Sequence, residues 1–177
     1  MWWIFAALIG GSCLSVLLPA FAGGAWSPTK AEVMHSMLER ARLMPGETLW
    51  DLGAGDGRFL VAALQRGAMV VGVEIDPVRW FICCLRCRGF KGQARVVRGN
   101  MFNISLEEAD VVTFYLSQAA ADRLRDKLEQ ELKQGARVVS YRRPIPGWRS
   151  SQIDEQNRVF VYVIGEHDPG ETRECLE

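Results

Sequence analysis

The chain has 177 residues, 49% of them hydrophobic, and its 21 Lys and Arg balance its 21 Asp and Glu. That length holds one ordinary domain and no second full one, and the apolar fraction excludes a disordered chain. Zero net charge, two histidines and five cysteines, three of them crowded at Cys83, Cys84 and Cys87, exclude a basic nucleic-acid binder, a secreted disulfide scaffold and a structural zinc site.

From Trp2 to Ala22 no side chain is charged. As a helix this stretch would be about 31 Å long at ~1.5 Å per residue, enough to cross a bilayer core. Ala20-Phe21-Ala22 has the small-x-small pattern of a signal-peptide cleavage site, but no Lys or Arg precedes the apolar run. Lys30, Arg40 and Arg42 follow it, and Trp2, Trp3 and Trp26 flank it as interfacial anchors would. Residues 1–25 are therefore expected to form an uncleaved membrane anchor with one transmembrane helix over 2–22. By the positive-inside tendency the following domain would stay cytoplasmic.

Residues 26–164 read as alternating α and β elements in one domain without internal repeats. Ser27-Pro28-Thr29 opens a helix, with Thr29 and Glu32 spaced as a capping box and Met34, Met37, Leu38 and Ala41 on one face. Met44-Pro45-Gly46 breaks it, and Glu47–Leu52 is a short strand. After a glycine-rich turn comes a helix from about Arg58 to Arg66, stopped by Gly67. Ala68–Ile75 is almost wholly apolar, as a strand covered on both faces should be. Asp76 and Pro77 signal the start of a helix running to about Arg88. Strands follow at Ala94–Arg98 and Val111–Leu116, then a helix at Ala119–Lys133 with Leu124, Leu128 and Leu132 at i, i+4, i+8. Gly135 ends it before strands at Ala136–Tyr141 and Arg158–Ile164. This alternation predicts a parallel sheet with right-handed crossovers and helices on both faces. The acidic tail, residues 165–177, is expected to be disordered.

The chemistry concentrates at Asp51-Leu52-Gly53-Ala54-Gly55-Asp56-Gly57-Arg58. A glycine-rich strand-to-helix turn lets a ligand approach the backbone. Dinucleotide folds space their glycines G-x-G-x-x-G, and here Arg58 stands where the third would fall. The pattern is instead D-x-G-x-G-x-G. An acid before the first glycine suits the sulfonium and ammonium of S-adenosylmethionine and would repel a pyrophosphate. Walker spacing and a P-loop lysine are missing. Glu74, ending the second strand, can accept both ribose hydroxyls, although nicotinamide enzymes also place an acid near here.

With Gly99-Asn100-Met101-Phe102 after the third strand, these segments resemble the class I, seven-strand methyltransferases, whose fold is Rossmann-like. More narrowly, SPT, DLGAGDGRF, GVEIDP, GNMF and LKQGARVVSYRRPIPGW resemble the small protein-lysine methyltransferases, which include a broad-specificity archaeal enzyme and the mitochondrial enzyme acting on the ATP synthase c subunit. The resemblance implies methyl transfer from S-adenosylmethionine to a lysine amine. It assigns cofactor binding to Thr29, Asp51, Gly53, Gly55, Gly57, Glu74, Asn100, Met101 and Phe102. Asn100 would take the adenine amino group on its side-chain oxygen, with Met101 and Phe102 near the purine. Tyr115 and Ser117, after the fourth strand, are the candidate catalytic pair. The family often shows a proline or another fixed motif after that strand, and this chain has Tyr115-Leu116-Ser117-Gln118.

The expected partner is a lysine-bearing protein near the membrane, with no metal and no nucleic acid. A methyltransferase for a quinone-like small molecule, and a non-catalytic protein holding S-adenosylmethionine or a nucleoside, are the competing readings.

Overall fold

A computed structural model describes residues 28–166. The expected anchor at 2–22 and the tail from residue 167 lie outside the described residues. Among those described, no helix is long and apolar enough to cross a membrane.

The valine-rich runs become strands because both of their faces are covered. In chain order the elements are α1 (Ala31–Arg40), β1 (Thr48–Leu52), α2 (Arg58–Leu64), β2 (Met69–Glu74), α3 (Pro77–Cys87) and β3 (Ala94–Arg98). Then follow a 3₁₀ turn (Met101–Asn103), β4 (Val111–Phe114), α4 (Gln118–Glu131), β5 (Arg137–Tyr141), β6 (Gln152–Asp154) and β7 (Val159–Val163). The strands form one seven-stranded sheet ordered β3-β2-β1-β4-β5-β7-β6. Strands β1 to β5 run parallel, and β7 and β6 pair antiparallel.

The expected α/β sheet is there, but the all-parallel expectation is corrected at its last strands. Residues 142–158 contain no crossover helix, so the chain turns back and β7 enters beside β5 in the opposite sense. Strand β6 has no sequence run of its own, being three residues that pair with β7. Helices lie on both faces, as expected. On one, α1, α2 and α3 bury Leu38, Leu60 and Cys83 with Leu49, Val70 and Val139. On the other, α4 and the β3–β4 connection bury Leu124, Leu128 and Leu106 with Trp50, Val112 and Phe114.

The start of α1 is a second correction. Its N-cap is Lys30, in extended conformation and with no side-chain cap bond, so Thr29 and Glu32 form no capping box. What holds α1 is tertiary. Asp154 on β6 accepts from Ser36 Oγ at 2.6 Å and Arg40 Nε at 3.1 Å. The Pro144–Trp148 segment is also fixed by the core, with Ile145 and Trp148 buried and the Ile145 N–H donating to the Tyr162 hydroxyl at 3.0 Å.

Candidate active site at the carboxyl ends of the strands

Strand order reverses between β1 and β4, and in open α/β sheets the crevice beyond the carboxyl ends at such a point is where ligands sit. The chain puts Asp51, the Gly53–Gly57 loop, Glu74, Asn100 and Tyr115 there, each at or just past the end of a strand. Thr29 precedes α1, half-buried between Pro28 and Lys30.

The loop is built by close approach. Gly57 caps α2 at φ +79°, and a Cβ there would lie 2.7 Å from Cys83 Sγ, so only glycine lets the loop seat against α3. Gly53, at φ +88°, is exposed at the mouth of the crevice and lies against Leu116. Glu74, buried, braces the loop: Oε2 accepts from the Gly55 N–H at 2.8 Å and Oε1 from the Asp76 N–H at 2.9 Å. A carboxylate has about four lone-pair sites, so two remain for a ligand's hydroxyls. Asp76, as expected, caps α3 through the N–H groups of Val78 and Arg79.

Asp51 is buried and pairs across the strands with Thr113, whose hydroxyl donates to Oδ1 at 2.9 Å. Burial raises its pKa to about 7 against the lowering effect of the Thr113 bond, and nearby Glu74 raises it further. Among the described residues no cation pairs with Asp51 or Glu74. Asp56, the other acid of the loop, is clamped by Arg58 at 2.8 Å and Arg86 at 3.1 Å. Partial burial acts to raise its pKa, but the Arg58 bonds and the Arg86 charge hold it below the usual range. Two buried acids without a counter-charge, beside a loop that leaves its backbone open, fit a ligand bearing cationic centres and ribose hydroxyls.

Other predicted residues have local partners. Asn100 Oδ1 accepts from the Phe102 N–H at 3.1 Å, capping the 3₁₀ turn, which uses one lone pair of the oxygen meant for an adenine amine. Met101 is buried, and the Phe102 ring packs on the core with the Arg123 guanidinium 4.0 Å from its centroid. Ser117 is the N-cap of α4, its Oγ accepting from the Ala120 N–H at 3.3 Å.

Beyond β4 and β5 a cleft of about 300 Å³ opens, lined by Lys30, Glu32, Tyr115, Tyr141, Arg142 and Arg158 among others. The Tyr115 and Tyr141 rings meet at 4.5 Å, tilted by 54°, and Arg142 Nη1 donates to the Tyr115 hydroxyl at 3.2 Å. Arg142 and Arg158 both take positive φ, 66° and 54°, and are joined by the Arg142 N–H to Arg158 carbonyl bond at 2.7 Å. Non-glycine residues seldom adopt that conformation, and here two of them shape one cleft. Sequence reasoning missed Thr113, Tyr141 and Arg158. Tyr141 was within reach, since it ends a parallel strand. Thr113 and Arg158 become visible only with the strand register and the β6–β7 turn. Among the described residues no cluster of three or more His, Cys, Asp or Glu could hold a metal ion.

Residues 51–152 match the family described as the ANTKMT methyltransferase domain. A protein-lysine N-methyltransferase of Saccharolobus islandicus is 37% identical over 150 residues, covering 79% of this chain and 93% of the relative. The adenine nucleotide translocase lysine N-methyltransferase of Mus musculus is 34% identical over 149 residues, covering 80% of this chain and 63% of that protein's length. Among solved structures, an RNA methyltransferase from Salinibacter ruber, in complex with S-adenosylhomocysteine, superposes with a TM-score of 0.78 at 32% identity, covering 84% of this chain and all of that one.

Proposed function

Because the chain belongs to the ANTKMT methyltransferase family and is an S-adenosylmethionine-dependent methyltransferase, we propose that its acceptor is a lysine amine of a protein lying against a membrane, where residues 2–22 anchor the enzyme with its domain on the cytoplasmic side. The observation that carries the lysine reading is the cleft beside β4 and β5. It pairs two tyrosine rings with the cations Lys30, Arg142 and Arg158 against one acid, Glu32.

When bound, S-adenosylmethionine supplies a methyl group on a sulfonium that is already an activated leaving group. The chain's own part is to bind, align and deliver. Asp51 and Glu74 hold the cationic and ribose portions, and the glycine loop admits them to the backbone. Asn100, Met101 and Phe102 border the purine. A lysine amine, with a reference pKa of about 10.4, must arrive uncharged. Positive neighbours and removal from water both favour its neutral form, so Arg142, Arg158 and Lys30 repel the ammonium while the tyrosine rings receive the amine. The Tyr115 hydroxyl, oriented by Arg142, can accept an amine N–H and point the lone pair toward the methyl carbon. Alignment of this kind supplies about 7–11 kcal/mol in favourable intramolecular cases. Ser117 shapes the β4–α4 turn and acts through position. The charge asymmetry around residues 2–22, and a cofactor made in the cytoplasm, support the topology.

Incubation of membrane and soluble extracts with methyl-labelled S-adenosylmethionine tests the reading. Label on protein lysines of the membrane fraction is expected, and Arg142→Ala should shift the pH profile of kcat/KM to higher pH. Label found only in organic extract would assign a small-molecule acceptor, and label on RNA a nucleic acid, as in the Salinibacter enzyme's name. No transfer despite intact binding of S-adenosylhomocysteine would leave a binding protein.

A further inference from the structure

Helix α3 has an unusual outward face. Val78, Phe81, Ile82 and Leu85 are 53%, 56%, 38% and 47% exposed, at i, i+3, i+4 and i+7. Its inward face buries Cys83 and Cys87, so the helix is apolar on both sides. The contrast with α4 is direct: there Leu124 and Leu128 face the core, and Asp122, Arg123, Arg125, Asp126 and Glu129 face out. An ordinary solvated helix looks like α4.

The charge around that stripe has one sign. From Pro77 through Leu106 the sequence contains no Asp or Glu. Arg86 is taken up by Asp56, but Arg88, Lys91, Arg95 and Arg98 are exposed and make no ion pair among the described residues. Strand β3, the edge strand of the sheet, is covered by α3, with Trp80 Nε1 donating to the Val96 carbonyl at 3.3 Å. Arg98 lies on that covered face with Ala94 and Val96, whereas Arg95 lies on the opposite face with Val97. Helix and strand thus join an apolar stripe to a cationic border.

We propose that this face docks on the surface of an anionic phospholipid bilayer. Interfacial helices carry this composition: aromatic and aliphatic residues enter the acyl boundary while flanking cations meet the headgroups. A second copy of the chain on the same face would bring its Arg and Lys border against an identical one. A nucleic acid would meet the cations but leave the stripe in water. Of these three surfaces, the bilayer satisfies both. Val78 lies four residues beyond Glu74, so docking sets the rim of the cofactor crevice near the headgroups. The inference does not rest on the identity of the methyl acceptor.

Hydrogen–deuterium exchange of the full-length chain tests it, with vesicles of phosphatidylcholine alone or mixed with phosphatidylglycerol. Protection of peptides spanning 77–98 is expected, stronger on the mixed vesicles. Phe81→Glu with Leu85→Glu should abolish that protection. Arg88→Glu with Lys91→Glu should remove the extra protection of 77–98 that the mixed vesicles give over phosphatidylcholine alone, since that increment comes from cations meeting anionic headgroups. Calorimetric titration with S-adenosylhomocysteine confirms that both variants are folded, and reads the cofactor site separately. Unchanged exchange at 77–98 on either vesicle would overturn the proposal. So would equal protection from an RNA duplex, or protection that rises with protein concentration without lipid.

Discussion

At the residue scale, Asp51 is the group whose chemistry depends most on its surroundings. Burial, opposed by the Thr113 bond and reinforced by Glu74, raises its pKa to about 7. In the free protein it therefore binds its proton where the unfolded chain, with an ordinary carboxyl, has released it. The folded state holds more protons between about pH 4 and 7, so this residue makes stability fall as pH rises through that window. A cationic ligand reverses the preference and expels the proton. Affinity for S-adenosylmethionine should rise with pH up to neutrality and level off above it. Titrations in buffers of different ionisation enthalpy should report proton release near pH 7, and Asp51→Asn should remove both effects. A wild-type affinity flat from pH 5.5 to 8 would refute the placement of the cofactor's charge beside Asp51. Ser117 gives the opposite kind of case. Its hydroxyl caps α4, so Ser117→Ala should cost about 1 kcal/mol of unfolding free energy, within the ~0.5–2 typical of such caps. Its kcat should stay close to wild type, and a large fall in kcat at unchanged stability would restore Ser117 to the chemistry.

At the scale of elements, the glycine loop and α3 act as one unit. Gly57 sits in a left-handed conformation with its Cα hydrogens against Cys83. Gly57→Ala meets two costs, about 1 kcal/mol or more for the backbone and ~1–3 kcal/mol for crowding a packed site. The variant should bind S-adenosylhomocysteine weakly by calorimetry. Cys83→Ala should relieve only the closest contact, that with Sγ at 2.7 Å, leaving the Cys83 Cα and Cβ at 3.2 and 3.3 Å, so the double variant should recover part of the loss. Full recovery would show that the left-handed turn carries no cost. The motif D-x-G-x-G-x-G was legible in the sequence because spacing alone separates it from a dinucleotide loop. Its dependence on Cys83 was not, because residues 57 and 83 meet only when α2 and α3 pack side by side. The parallel β1 to β5 were legible for a similar local reason, as each apolar run is closed by a glycine, proline or cap. The antiparallel β7 was not: its direction follows from a turn of irregular chain, which leaves no periodicity to read.

For the whole molecule, α1 is joined to the far edge of the sheet through Asp154. That carboxylate accepts from Asn157, Ser36 and Arg40, and these bonds hold its pKa well below the usual range. A depressed pKa contributes stability above about pH 4, the unfolded value, and the contribution is lost as pH falls through the folded value. Asp154→Ala should lower unfolding free energy at pH 7 by about 1.5–3 kcal/mol, as for hydrogen bonds to charged groups, and flatten the acid side of the stability curve. Denaturant titrations at pH 7 and pH 3 measure it, and an equal loss at both would contradict the ionic origin. Because α1 also brings Pro28 and Lys30 to the cleft, the same variant should loosen that cleft before the glycine loop. The sequence by itself determined the α/β class, the glycine loop with Asp51 and Glu74, and the family, since each is read from short runs of residues, a strand, a turn or a helix start, taken in chain order. The tertiary structure alone decided the tyrosine-and-arginine cleft, the clamp on α1 and the apolar outer face of α3. Each of these joins residues far apart in the chain, or depends on which side of a helix the core leaves uncovered, and no local pattern records that.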